Sequence, residues 1–118
     1  MPPVLNVHGI KSCDVCRKAR KWLDQAGIDY AWNDLRAAAP DRTTLQRWLD
    51  AVGAERLVNR RSATWRGLDV QRRPALDSPE LFDTLLEHPT LIKRPLFERA
   101  GEVRVGFDDD LRNWLEPA

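Results

Sequence analysis

Between Asp14 and Ala26 the apolar residues Val15, Ala19, Trp22, Leu23 and Ala26 recur at the spacing of one helical face, and Arg17, Lys18, Arg20, Lys21 and Asp24 fill the opposite side. The spacing predicts an amphipathic helix that stops at Gly27, a residue suited to the left-handed conformation past a helix end. Ahead of it, Val4 to His8 is a short apolar-rich run preceded by Pro2 and Pro3 and ended by Gly9, which reads as a strand. Behind it, Ile28 to Leu35 alternates imperfectly and carries Tyr30 and Trp32, a second strand. Strand, helix and strand in succession form a βαβ unit, whose strands run parallel.

The middle of the chain turns helical. From Asp41 to Val52, Leu45, Trp48, Leu49 and Val52 share one helical face, with Gly53 as the stop. Leu57 to Leu68 holds Arg60, Arg61 and Arg66 around Trp65, a cluster that either grips an anion or faces water. A further helix is predicted from Ser78 or Pro79 to Glu87, capped by Ser78, with Leu81, Leu85 and Leu86 as its buried residues. Leu91 to Glu98 and Val103 to Phe107 then read as two strands joined by a charged turn with Gly101, an antiparallel hairpin. Asp108 or Asp109 caps a last helix through Leu111, Trp114 and Leu115, closed by Pro117. The resulting order predicts an α/β fold: a thioredoxin-like, four-stranded mixed sheet with a helical insertion between its halves. Proline at the start of the third strand, Pro95, cannot donate to a ladder, and a cis Arg94–Pro95 bond would make a tight turn there.

Length and charge narrow the function classes. With 118 residues and 42% hydrophobic content, a single domain over 1–118 with a real core is expected. A net charge of +1, from 19 basic and 18 acidic residues, argues against bulk attraction to nucleic acid or anionic membrane, and no apolar run approaches a membrane span. The N-terminus has no signal-peptide pattern, so the cytoplasm is the expected compartment, and a monomer the expected state. Two cysteines, Cys13 and Cys16, in such a chain point to reactivity rather than a structural staple. Beyond them only His8 and His88 could complete a structural zinc site, so no metal is expected.

The predicted helix places Cys13 at or just before its start, where unpaired backbone N–H groups and the positive end of the helix dipole gather and Lys11 and Arg17 are near in sequence. All of these favour a thiolate, so Cys13 is the candidate nucleophile. Cys16, three residues on, lies on a neighbouring part of the same helix; it is either a resolving thiol able to close a disulfide with Cys13 or a small apolar residue bordering Ala19 and Leu23. His8 reads as a strand residue satisfied by its neighbours, His88 as a structural residue at a helix end, and the tryptophans Trp22, Trp32, Trp48, Trp65 and Trp114 as mostly core.

The segments GIKSCDVCRKARKWL, LVNRRSATWRGLD and HPTLIKRPL, with VGFDD near the end, resemble the arsenate-reductase-like (ArsC/Spx/YffB) family of thioredoxin-fold proteins, in order and over nearly the whole chain. The resemblance implies a nucleophilic cysteine at Cys13, an arginine at Arg94 and a cis proline at Pro95 beside the cysteine. It implies three different activities. Arsenate reductases of this type use one cysteine, several anion-binding arginines, and glutathione with glutaredoxin. The Spx branch uses a C-x-x-C redox switch and binds RNA polymerase, and the YffB branch points to glutathione-dependent thiol chemistry.

Gly9-Ile10-Lys11 before Ser12-Cys13, Asp14 after it and the TWRGLD segment from Thr64 to Asp69 are most similar to the YffB branch, whereas Cys16 and the following Arg17-Lys18-Ala19-Arg20 agree with Spx. His8 falls one position too early for the arsenate-reductase histidine, and a third arsenate-contacting arginine is missing around Gly106. The expectation is a thiol-based reductase, glutathione-dependent or dithiol, with Cys13, Cys16 and Arg94 as catalytic candidates and Lys11, Arg61 and Pro95 at the substrate or anion site. No bound cofactor is expected; glutathione is the candidate co-substrate, and glutaredoxin or RNA polymerase candidate partners. An Spx-like redox sensor is the alternative, and arsenate reduction comes third.

Overall fold

Strand β1 (Asn6–Gly9) lies inside the sheet, between β2 (Ala31–Asp34) and β3 (Leu96–Arg99), with β4 (Glu102–Val105) at the outer edge of β3. The computed structural model describes residues 4–116; Pro2, Pro3 and Pro117 lie outside the described residues. β1 and β2 run parallel, and the β1–β3 and β3–β4 pairs are antiparallel, which is the expected four-stranded mixed sheet. The chain forms two compact units, Met1–Asp34 with Arg94–Ala118, and Leu35–Lys93.

In the first unit, α1 (Asp14–Gln25) crosses from β1 to β2, and α6 (Asp109–Leu115) follows the hairpin. β2 is shorter than the Ile28–Leu35 run predicts. The Ile28 N–H donates to the Leu23 carbonyl at 3.0 Å and so closes the helix end, and pairing with the four residues of β1 begins at Ala31. β3 likewise starts only after Pro95, because Leu91 ends a 3-10 turn (Pro89–Leu91), the Lys93 N–H donates to the Leu57 carbonyl, and the Leu91 carbonyl accepts from the Asn59 N–H. β4 stops at Val105 rather than Phe107: the Gly106 N–H still donates to the carbonyl of its register partner Pro95, but proline has no N–H to return the bond, and Gly106 turns away at φ +91°. Asp108 caps α6 by accepting from the Leu111 N–H at 2.9 Å.

The core of this unit joins Leu5, Val7, Ala19, Leu23, Phe97, Leu111 and Leu115, with Trp22, Trp32 and Trp114 partly buried around it. The buried stripe of α1 is Cys16, Ala19 and Leu23, whereas Val15 is 43% exposed and Ala26 is exposed. The helix is therefore rotated from the face predicted by periodicity, because the space that the sheet leaves open above Gly9 takes the small Cys16 side chain.

The second unit is helical: α2 (Arg42–Val52), α3 (Ala54–Leu57), α4 (Ala63–Gly67) and α5 (Pro79–Glu87). Asp41 caps α2 through the Thr44 N–H, and Ser62 caps α4 through the Trp65 N–H. Leu45, Trp48, Trp65, Leu81 and Leu85 are buried, while Leu49, Val52 and Leu86 are only partly covered. Ser78 stands at the N-cap of α5, but its hydroxyl donates to the Ala75 carbonyl at 2.7 Å instead of capping the helix. Among the described residues no helix is long and apolar enough to cross a membrane.

Candidate functional site

Cys13 is the N-cap residue of α1, with extended backbone at φ −77° and ψ 124°. The tight connection from β1 holds it there: its N–H donates to the Ile10 carbonyl at 3.0 Å, and its carbonyl accepts from the Arg17 N–H at 2.9 Å as the first helical bond. The thiol is partly exposed and closes no capping hydrogen bond of its own. Partial burial opposes its ionisation, and this is the largest single influence. The Cys16 N–H, the Cys16 thiol, the Arg94 guanidinium and the Val15 N–H together outweigh it and hold Cys13 below the ordinary thiol value of 9.0.

Cys16, fully buried one turn into α1, behaves in the opposite way. Burial pushes its thiol up to about 12; the Ile10 backbone and Arg94 pull it down less than burial and the neighbouring Cys13 raise it. At neutral pH the pair is thus a thiolate-prone sulfur beside a protonated one. That is the arrangement in which one sulfur attacks and the other resolves.

Arg94 is half-buried and is the cation that acts on both sulfurs. It is joined to the buried Pro95 by a cis peptide bond, and the Pro95 carbonyl is held by the Gly106 N–H at 2.9 Å. Lys11 is exposed in the turn before α1, its backbone N–H directed at the Asp34 carboxylate at 3.4 Å. Arg17, near the site in sequence, is engaged elsewhere: it donates to the Ser12 carbonyl at 3.1 Å and pairs with Asp14 at 3.5 Å. The first unit therefore brings Cys13, Cys16 and Arg94 together. Arg61 belongs to the second unit, where Arg60, Arg61 and Arg66 are all exposed and the Arg61 N–H donates to the Asn59 side chain at 3.2 Å. His8 pairs with Glu98 at 3.3 Å across β1 and β3. Among the described residues no three His, Cys, Asp or Glu side chains gather to hold a metal ion.

Residues that the sequence pattern marks as framework complete the surroundings of Cys16. A Cβ added to Gly9 would lie 2.6 Å from the Cys16 Sγ and 2.9 Å from Cη2 of Trp32, so the bare glycine backbone is what admits both. A glycine in a strand pattern is the available sequence signal for such close approach.

A family model for the ArsC family matches residues 8–113. The solved structure of a YffB protein is 35% identical, with a TM-score of 0.89, and the match covers 97% of this chain and all (100%) of that one. An uncharacterised protein of Haemophilus influenzae is 40% identical over 106 residues, covering 90% of this chain and 93% of the relative. The global transcriptional regulator Spx of Streptococcus pyogenes serotype M3 is 30% identical over 101 residues, covering 84% of this chain and 75% of the relative. With the mixed sheet, the cysteine at the start of α1 and Arg94 before a cis proline, these matches lead to one conclusion: the chain belongs to the ArsC family.

Proposed function

We propose that the protein is a thiol-based reductase in which Cys13 is the nucleophile and Cys16 the resolving thiol. The observation that carries this reading is the pairing of a partly exposed Cys13 at a helix start with the buried Cys16 thiol one turn on, both under the charge of Arg94. The Cys13 thiolate attacks one sulfur of a disulfide R–S–S–R, forms Cys13–S–S–R and expels RS⁻, which takes a proton from water. Cys16 then gives up its proton and attacks the Cys13 sulfur, closing Cys13–S–S–Cys16 and releasing the second RSH. Two equivalents of a thiol such as glutathione, or a glutaredoxin, return both cysteines to thiols. Glutathione attack on the mixed disulfide replaces the second step where Cys16 does not act. Arg94 holds the thiolate, and its fork suits a carboxylate of the substrate. The reducing cytoplasm is the compartment in which such a couple would cycle.

Turnover of a small disulfide with glutathione, followed with intact mass of the protein, tests the reading. Cys13→Ser is expected to abolish turnover, and Cys16→Ser to leave either a trapped mixed disulfide or glutathione-dependent activity. Full turnover by Cys13→Ser would overturn it.

A second reading is favoured by the Cys13-Asp14-Val15-Cys16-Arg17-Lys18 segment and the likeness to the Spx regulator: a redox sensor whose Cys13–Cys16 state alters a surface that binds RNA polymerase. Retention of polymerase on the immobilised protein that differs between oxidising and reducing buffers supports the sensor. Retention in neither buffer removes it.

A further inference from the structure

Val7 and Trp32 are register partners in the parallel β1–β2 pair, so Val7, Gly9 and Trp32 project from the sheet face that packs on α1. On that face the Cys16 sulfur and the outer ring of Trp32 converge on the bare backbone of Gly9. Arg20, one turn beyond Cys16, lays its guanidinium 4.3 Å from the centre of the Trp32 ring. The Arg20 Nε donates to the Tyr30 hydroxyl at 3.2 Å, and Tyr30, two residues before Trp32, shares its face. The indole N–H of Trp32 is buried without an acceptor, so no hydrogen bond from that nitrogen sets the ring; packing and the Arg20 layer do.

We propose that Trp32, pinned by Arg20 and Tyr30, is a positioning residue that closes the sheet side of Cys16, so that the only sulfur Cys16 meets is that of Cys13. The proposal deepens the reductase reading and rests on it for its biological meaning. It makes the first step selective for Cys13: a disulfide from solution exchanges there, and Cys16 enters only by attacking Cys13–S–S–R, forming the internal disulfide and expelling RSH. A thiol that burial keeps protonated is consistent with this order.

The test uses the full chain carrying Cys13→Ser, in which Cys16 is the single thiol. Its alkylation by iodoacetamide is followed by intact mass between about pH 7 and 11, alone and with Trp32→Phe, which deletes the outer ring that reaches Gly9, or with Arg20→Leu, which leaves the ring in place. Trp32→Phe is expected to speed alkylation at neutral pH by about tenfold or more and to move the midpoint of the pH profile down toward that of an ordinary thiol, since the reactive fraction rises about tenfold for each pH unit by which the midpoint falls. It should also let glutathione disulfide place an adduct on Cys16. Arg20→Leu should act in the same direction and less. Alkylation as slow in Cys13→Ser/Trp32→Phe as in Cys13→Ser overturns the proposal. So does an equal acceleration by Leu115→Ala, a core variant on α6, because exposure would then come from general loosening. These outcomes do not depend on Cys13 chemistry, so failure of Cys13 as nucleophile in the turnover assay and failure of the Trp32 wall are read separately.

Discussion

Cys13 and Cys16 stand one helical turn apart, and their thiols are driven in opposite directions, Cys13 below the ordinary thiol value of 9.0 and Cys16 up to about 12. Burial opposes ionisation at both positions. The difference arises because Cys13 stands at the helix start, where the Val15 and Cys16 backbone favours its thiolate, whereas Cys16 faces the packed sheet.

The alkylation rate of Cys13 in the reduced protein is expected to have its pH midpoint below 9.0. Arg94→Met removes the cation that favours the thiolate. The midpoint should rise and the rate at neutral pH fall about three- to tenfold, since the thiolate fraction falls about tenfold for each pH unit by which the midpoint rises. An unchanged profile would remove Arg94 from this role.

Cys16 predicts a loss of stability in alkali. Its folded-state value is raised, so the folded protein keeps a proton that the unfolded chain loses; this contribution is whole below pH 9.0, falls as the pH rises and is gone by about 12. Urea unfolding of the wild type and Cys16→Ala should therefore show a stability difference that shifts against the wild type from about pH 8 to 11. A constant difference would contradict the raised value.

Gly9→Ala should be disruptive although it adds one methyl group. The new Cβ would meet the Cys16 Sγ at 2.6 Å and the Trp32 ring at 2.9 Å, and overpacking of this kind costs about 1–3 kcal/mol. Adding Cys16→Ala removes the nearer contact and should recover part of that loss, a coupling that a double-mutant cycle measures. Simple additivity would show that the two side chains do not compete for this space.

Arg99 ties the end of α6 to the hairpin. It donates to the Trp114 carbonyl at 2.6 Å and the Leu115 carbonyl at 3.4 Å and lies 4.4 Å over the Trp114 ring, while the Trp114 indole donates to Glu102 at 2.7 Å. A cation on the last carbonyls of a helix satisfies acceptors that have no intrahelical donor. Arg99→Met is expected to cost about 1–2 kcal/mol and to speed amide exchange in α6 more than in β1. Equal acceleration in both elements would point to global destabilisation instead.

Local signals account for what was legible along the chain. The βαβ unit follows from one amphipathic run between two short apolar runs, and the start of α1 at Cys13 from where that run begins. The last hairpin and its following helix follow from Gly101 and the Asp108 cap, and the motifs around Cys13, Arg94 and Pro95 carry the family. Strand limits were less legible, because the lengths of β2 and β3 depend on how many residues of β1 they meet. The sequence by itself thus determines the elements, their order and the cysteine at the helix start, since these rest on contacts within a few residues. Only the tertiary structure decides that Cys16 rather than Val15 faces the sheet, that Gly9 makes room for it, and that Trp32 closes over it, because each depends on the register of β1 against β2 and on the rotation of α1 above them.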